Sequence, residues 1–308
     1  MAEFAMTVIG SGSALPMHGR HPSAQVVQYD DMFFLIDCGE GTQMRLRGAA
    51  IKPFKIQLIL ISHLHGDHVF GLPGLISSFS HLKRTQPLTV FGPAGIRNLL
   101  QEIIRYCEMK INFPLHIIES TPHALQSIWS VDNIEILTFP LNHRIACNGY
   151  LFREKEAVLR LRKEKIQSMA LSVAQIHALQ GGEDIVYNGQ KLSNDELTYG
   201  AAHPLSYAYC SDTKFDMKLV PMIRPVSVLY HETTFKNDMH LMAEETGHTT
   251  AGDAGLMAKE LEAGCLITGH YSSRYKVVDE LLAEAGVFCP QVLEAVEGKK
   301  YNLRALTQ

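Results

Sequence analysis

The sequence predicts an α/β fold, and three observations carry that prediction. Short apolar segments bounded by turn residues recur along the chain and read as strands. Segments with helical spacing of apolar residues separate them. The interleaving persists over all 308 residues, which is the pattern of helices packed on sheets.

In order, residues 6–10, 25–29 and 32–37 read as strands, with Asp30 and Asp31 forming the turn between the last two. Residues 56–62 form a buried strand that ends where the first histidines begin. Helices are expected over 69–80, 95–107, 249–262 and 277–285. Further strands fall at 88–91, 134–139, 206–211, 226–231 and 265–268. Residues 153–167 stand apart, with six basic and three acidic side chains, and the spacing of charge predicts a solvated helix laced with ion pairs.

Composition narrows the class. A hydrophobic fraction of 46% and a charged fraction of 19% are those of a globular chain long enough to bury a core without disulfides. The six cysteines never form a Cys-x-x-Cys pair, so reduced thiols and a cytoplasmic location are expected. Residues 1–16 read as a first strand rather than a signal peptide, and no stretch is long and apolar enough for a membrane helix. The net charge of −4 gives no sign of nucleic-acid binding, although a local basic patch would suffice for it. Fifteen histidines favour metal binding, provided that their spacing agrees.

The spacing does agree. Ser62-His63-Leu64-His65-Gly66-Asp67-His68 follows a buried strand, at the carboxyl end where open α/β sheets place their ligands. Two residues of extended chain would point His63 and His65 the same way, and Gly66 would allow a sharp turn to Asp67 and His68. A chance cluster of surface histidines is the competing reading. At this composition it would arise on the order of once in a thousand such sequences, so the metal reading prevails. Imidazole and carboxylate suit zinc, and two ions would need further ligands. His143, Asp212 and His270 each follow an apolar strand, in the same topological place as His63. Either histidine alone would more often be structural; together they complete a set of seven. The Gly10-Ser11-Gly12 segment lacks the Gly-Lys of a phosphate loop and reads as a turn beneath the site. Cys210 and Ser211 read as packing residues.

His-x-His-x-Asp-His, then a lone His, then Ser-Asp-Thr, then Gly-His is the ligand order of the metallo-β-lactamase superfamily. Within it, the chain resembles the ribonuclease Z family of tRNA 3′-processing endonucleases. The motifs that carry the resemblance are Phe-Leu-Ile-Asp-Cys-Gly-Glu-Gly-Thr-Gln (34–43), Ser-His-Leu-His-Gly-Asp-His-Val-Phe-Gly-Leu-Pro-Gly (62–74), Tyr-His-Glu-Thr-Thr-Phe (230–235) and Gly-His-Thr-Thr-Ala (247–251). The resemblance implies an αββα sandwich of two mixed sheets flanked by helices. It implies two zinc ions per chain, one on His63, His65 and His143, the other on Asp67, His68 and His270, with Asp212 bridging. Asp37 would steady the histidine loop. Asp67 would also accept a proton from water, Glu232 and His248 would assist the departing 3′ oxygen, and Arg274 would bind phosphate. The products would be a tRNA with a 3′-hydroxyl and a trailer with a 5′-phosphate.

The family's chains of this length carry an inserted arm that grips tRNA, and the basic segment beginning at Arg153 lies where that arm belongs. The expected organisation is therefore one domain over 1–308 with an arm at 153–199. Precursor tRNA is the expected partner, and a homodimer the expected assembly. A sister phosphodiesterase acting on small substrates such as cyclic nucleotides would keep every ligand and have no use for the arm. A non-catalytic metalloprotein would not need Asp67, Glu232 and His248 together.

Overall fold

A computed structural model describes residues 3–155, 158–202 and 204–307 of the chain. Short buried runs build two seven-stranded sheets. The first holds β1 (Phe4–Gly10), β2 (Ala24–Tyr29), β3 (Met32–Ile36), β4 (Ile56–Leu60), β5 (Leu88–Gly92) and β6 (Leu115–Glu119), side by side in that order. The second begins with β7 (Gln126–Val131), β8 (Ile134–Leu141) and β9 (Cys147–Glu154). An excursion follows, with β10 (Val158–Leu161), β11 (Ile185–Tyr187), β12 (Gln190–Leu192) and β13 (Thr198–Ala202). The chain then completes the second sheet with β14 (Ser206–Cys210), β15 (Val228–Glu232), β16 (Cys265–Gly269) and β17 (Val292–Glu294). Finally β18 (Lys300–Asn302) returns to pair with β1.

Residues alternate between the two faces of each strand, so each sheet has two faces to cover. Phe34, Phe152, Tyr207 and Tyr230 belong to the core between the sheets. On the outer side of the first sheet, Ile59 and Val90 pack against Leu75, Ile76 and Phe79 of the helix Leu72–His81 and Leu100 of the helix Ile96–Tyr106. On the outer side of the second, Leu229 and Leu266 pack against Met257 of Ala251–Glu260 and Ala285 of Asp279–Gly286. Those two helices touch closely at Gly255, where a Cβ would collide with the Ala285 backbone. Helix, sheet, sheet and helix thus form the four layers of a metallo-β-lactamase fold.

Register decides where the site falls. β14, β15 and β16 are parallel, with Cys210 opposite His231 and Glu232 opposite Gly269, so the segments after them leave the sheet at one edge. β3 and β4 are also parallel, with Ile36 opposite Leu60, and they release Asp37 and the histidine segment together. The β8–β9 hairpin closes at Leu141 and Cys147, which places His143 in its turn.

Two expected elements differ from the structure. The helix expected over 69–80 is two helices, Gly66–Val69 and Leu72–His81. They separate because the Gly71 N–H bonds the Cys38 carbonyl at 2.9 Å, and a Cβ on Gly71 would strike the Gly39 carbonyl. The charged segment 153–167 is not a solvated helix. β9 runs on to Glu154, β10 pairs with β13, and only Lys163–Ile166 is helical; residues 156 and 157 lie outside the described residues. Leu161 and Ile166 supply apolar contacts to a small separate core of Leu179, Ile185 and Leu197. Strand pairing and this core override the local helical pattern. A capping box at Ser172 and Gln175 starts the helix Val173–Gln180 within the same unit. Among the described residues no helix is long and apolar enough to cross a membrane.

Candidate metal centre

The histidine turn is set by a buried carboxylate. Asp37 leaves β3 with φ 56°, and its Oδ1 accepts the Ser62 N–H at 2.7 Å. Its Oδ2 accepts from the Ser62 hydroxyl at 2.8 Å, the Tyr209 hydroxyl at 2.8 Å and His68 Nδ1 at 2.8 Å. A carboxylate can only accept, so His68 carries its proton on Nδ1 and, when neutral, presents a lone pair at Nε2. The same logic fixes His143, whose Nδ1 donates to the Gly247 carbonyl at 2.7 Å. His270, at φ 57°, has Nδ1 3.0 Å from the Thr234 hydroxyl, which itself donates to Glu232 at 2.6 Å.

Gly66 makes room for a neighbouring ring rather than supplying the expected turn geometry. It does not adopt a positive φ; a Cβ there would collide with the Phe70 ring.

The free ring nitrogens converge in two groups. His65 Nδ1 lies 3.0 Å from His63 Nε2 and 3.3 Å from His143 Nε2. His68 Nε2 lies 3.3 Å from His270 Nε2, and each is 3.5 Å from Asp67 Oδ2. Asp212 stands between the groups. Its Oδ2 is 3.5 Å from His63 Nε2 and 3.9 Å from His143 Nε2, while its Oδ1 is 3.2 Å from His270 Nε2 and 3.4 Å from His68 Nε2. All seven residues expected as ligands therefore meet at one place.

These residues fit a pair of cations on two counts. Asp212 Oδ1 is buried without a hydrogen-bond partner, although two imidazole nitrogens lie close to it. Those nitrogens carry lone pairs in the neutral rings, so acceptor faces acceptor unless positive charge lies between them. The titration pattern agrees. Burial alone would disfavour a charged His68, yet Asp212, Asp37 and Asp67 hold its pKa well above the ordinary value. Burial likewise opposes the charged forms of Asp67 and Asp212, but His68 and His270 keep both carboxyls far below the usual range. The carboxylates thus favour positive charge at this place, which in the protein alone is a proton on His68. Burial meanwhile keeps His63, His65 and His143 in the neutral form that ligates metal.

Glu232 and His248 form a pair beside this cluster. Glu232 is fully buried. Its Oε1 accepts from His248 Nδ1 at 3.0 Å and the Thr249 N–H at 2.9 Å, and its Oε2 accepts the Thr234 N–H at 3.0 Å. Burial disfavours the charged imidazole of His248, but Glu232 and Asp212 outweigh it and push the pKa up to about 9. His248 Nδ1 also lies 3.9 Å from Asp212, so with His270 it could serve as a ligand. Its shorter bond to Glu232 speaks for a proton carrier instead. Arg274 is exposed at the rim, its guanidinium 5.6 Å from the centre of the Phe235 ring, which in turn packs on His248.

Sequence reasoning missed several contributors. The Ala14 N–H donates to Asp67 Oδ2 at 2.8 Å, which gives the glycine-flanked loop a direct role. Thr234 ties His270 to Glu232, and Tyr209 supports Asp37 from β14. Ser211 is more than packing, since its hydroxyl donates to Ser62 at 3.1 Å. The Thr-Thr pair after Glu232 is the one visible signal among these.

Comparison with known proteins bears on this geometry. A ribonuclease Z from Porphyromonas gingivalis is 41% identical over 296 residues, covering 95% of this chain and 97% of the relative. This chain belongs to the ribonuclease Z family. A ribonuclease Z from Cytophaga hutchinsonii is 40% identical over 301 residues, covering 97% of this chain and 96% of that one. Among solved structures, the human short-form tRNase Z superposes with a TM-score of 0.71 at 24% identity, over 97% of this chain and 99% of that chain. The family model described as anti-Pycsar protein Apyc1 matches residues 4–144, less than half of the chain. That stretch ends just past His143 and includes neither Asp212 nor His270.

Proposed function

We propose that this chain is a zinc-dependent endoribonuclease that removes the 3′ trailer from precursor tRNA. It would leave a 3′-hydroxyl on the tRNA and a 5′-phosphate on the trailer. The observation that carries the reading is Asp212, whose two oxygens face two separate groups of ligating nitrogens. Family membership at 41% identity supports the substrate class.

His63, His65 and His143 would hold one zinc ion, Asp67, His68 and His270 the other, and Asp212 would bridge them. Two zinc ions there would neutralise charge on the phosphate oxygens and lower the pKa of water. The protein groups supply the rest. Asp67, oriented by the Ala14 N–H, accepts the proton of the attacking water. The water oxygen bonds to phosphorus on the side opposite the 3′ oxygen of the tRNA body, whose bond to phosphorus breaks. His248, held in its charged form by Glu232, donates a proton to that leaving oxygen. Arg274 would bind a neighbouring phosphate at the rim.

The arm at 153–199 is read as the tRNA grip, supported by the basic side chains at 160, 162, 163 and 165, whereas Arg153 lies in β9 and pairs with Glu135. A cytoplasmic homodimer completes the proposal. Six unpaired cysteines support the compartment, and sedimentation measures the assembly. The deciding experiment incubates the purified protein with a 3′-extended tRNA precursor and sequences the product ends. Cleavage after the tRNA body supports the reading, and an uncut precursor with metal-loaded protein refutes it.

A further inference from the structure

Phe70 is 69% exposed, although its neighbours Val69 and Leu72 are fully buried. Among the described residues it belongs to none of the apolar clusters that hold the fold together. Its ring instead lies against Gly66, the residue between His65 and Asp67. The backbone beneath it is fixed: the Phe70 N–H bonds the Gly66 carbonyl at 2.9 Å, and the Gly71 N–H bonds the Cys38 carbonyl at 2.9 Å. A second exposed apolar residue follows a backbone group that touches the site. Leu15 is 56% exposed and directly follows Ala14, whose N–H holds Asp67.

An exposed ring on a rigid turn contributes little to folding and leaves apolar surface in water. Gly66 joins His65 to Asp67, so the ring borders the segment that carries the candidate metal ligands. On the RNA-cleaving reading above, on which this inference rests, the occupant that fits this place is the substrate. A phosphodiester of RNA cannot enter without bringing the base of an adjoining nucleotide within reach. Every nucleobase has a flat face that stacks on an aromatic ring, whatever its identity.

We propose that Phe70 is a stacking platform for the nucleobase adjoining the scissile phosphate. Stacking there would position the phosphate against the metal-binding cluster without selecting a sequence. An enzyme that meets many different trailers needs such tolerance.

The test combines protein variants with substrates that lack one base. Phe70→Ala and Phe70→Tyr would be assayed on a precursor tRNA and on two versions with an abasic nucleotide immediately 5′ or 3′ of the cleaved bond. Phe70→Ala should lose about tenfold or more in kcat/KM on the intact precursor, while its metal content stays native and Phe70→Tyr stays near native. On one of the abasic substrates the native protein should fall to the level of Phe70→Ala, and the variant should lose nothing further. Should Phe70→Ala lose metal, Phe70→Leu replaces it, with the same expectations. Full activity of the variant, or an undiminished defect on both abasic substrates, overturns the platform while the activity stands. A native protein that cuts none of the substrates overturns both readings.

Discussion

Asp37 Oδ2 lies 2.8 Å from His68 Nδ1, with both side chains fully buried. The contact fixes which nitrogen of His68 faces Asp212, although Asp37 itself touches none of the ligand atoms of the other group. Asp37→Asn would put a neutral amide in place of the carboxylate and weaken the hold on that tautomer. Zinc affinity should fall roughly ten- to a hundredfold, measured by competition with a coloured chelator. Activity should return as zinc is raised. Unchanged affinity would show that the ring is oriented by packing alone.

Asp212 meets both groups of nitrogens, whereas His143 meets one. Metal analysis of the native protein should therefore approach two transition-metal ions per chain, and a strong chelator should abolish activity that zinc restores. Asp212→Ala should lower occupancy of both positions. His143→Ala should empty one and leave the other near native. A native value of one ion at full activity rules out the dinuclear site.

Glu232 and His248 are bonded at 3.0 Å, and neither is needed to complete the two groups of ligands. His248→Ala should keep its metal and slow cleavage about a hundredfold or more, as loss of a general acid does. Glu232→Gln should act in the same direction, with the defect in kcat rather than KM. Loss of metal from His248→Ala would make the residue a ligand, through its approach to Asp212.

β10 and β13 pair at the base of the arm, with Val158 opposite Ala202. A short Gly-Ser linker can therefore replace residues 159–201 without stretching the sheet, and it spares Glu154, which accepts the Leu205 N–H at 2.9 Å. Cleavage of precursor tRNA should collapse, mainly through affinity, while hydrolysis of a small activated phosphodiester survives. Salt should oppose tRNA binding by the intact protein, with a shallower slope after the deletion. Undisturbed tRNA processing removes the arm from substrate binding. Loss of both activities in a folded protein places the segment in the active site or an interface.

Much of this architecture is legible in the sequence because its signals are local. The strand before His63 is apolar apart from Gln57, and from Leu58 to Leu60 its side chains are covered on both faces. Four candidate ligands fall within six residues, His63 to His68, so their convergence needs only one turn of chain. His143, Asp212 and His270 are visible for a related reason, since each follows a strand whose direction the hydrophobic pattern implies.

Tertiary structure alone decided the rest. Whether the two oxygens of Asp212 face different histidines depends on strand register, which no local spacing contains. The bond from Ala14 to Asp67 joins residues that are 53 positions apart, and Tyr209 reaches Asp37 across 172. The charged segment at 153–167 misled because charge marks exposure but not conformation. There, pairing between β10 and β13 and burial of Leu179, Ile185 and Leu197 settled the outcome. Propensity acts between neighbours along the chain, but pairing and burial act between residues that only the completed fold brings together.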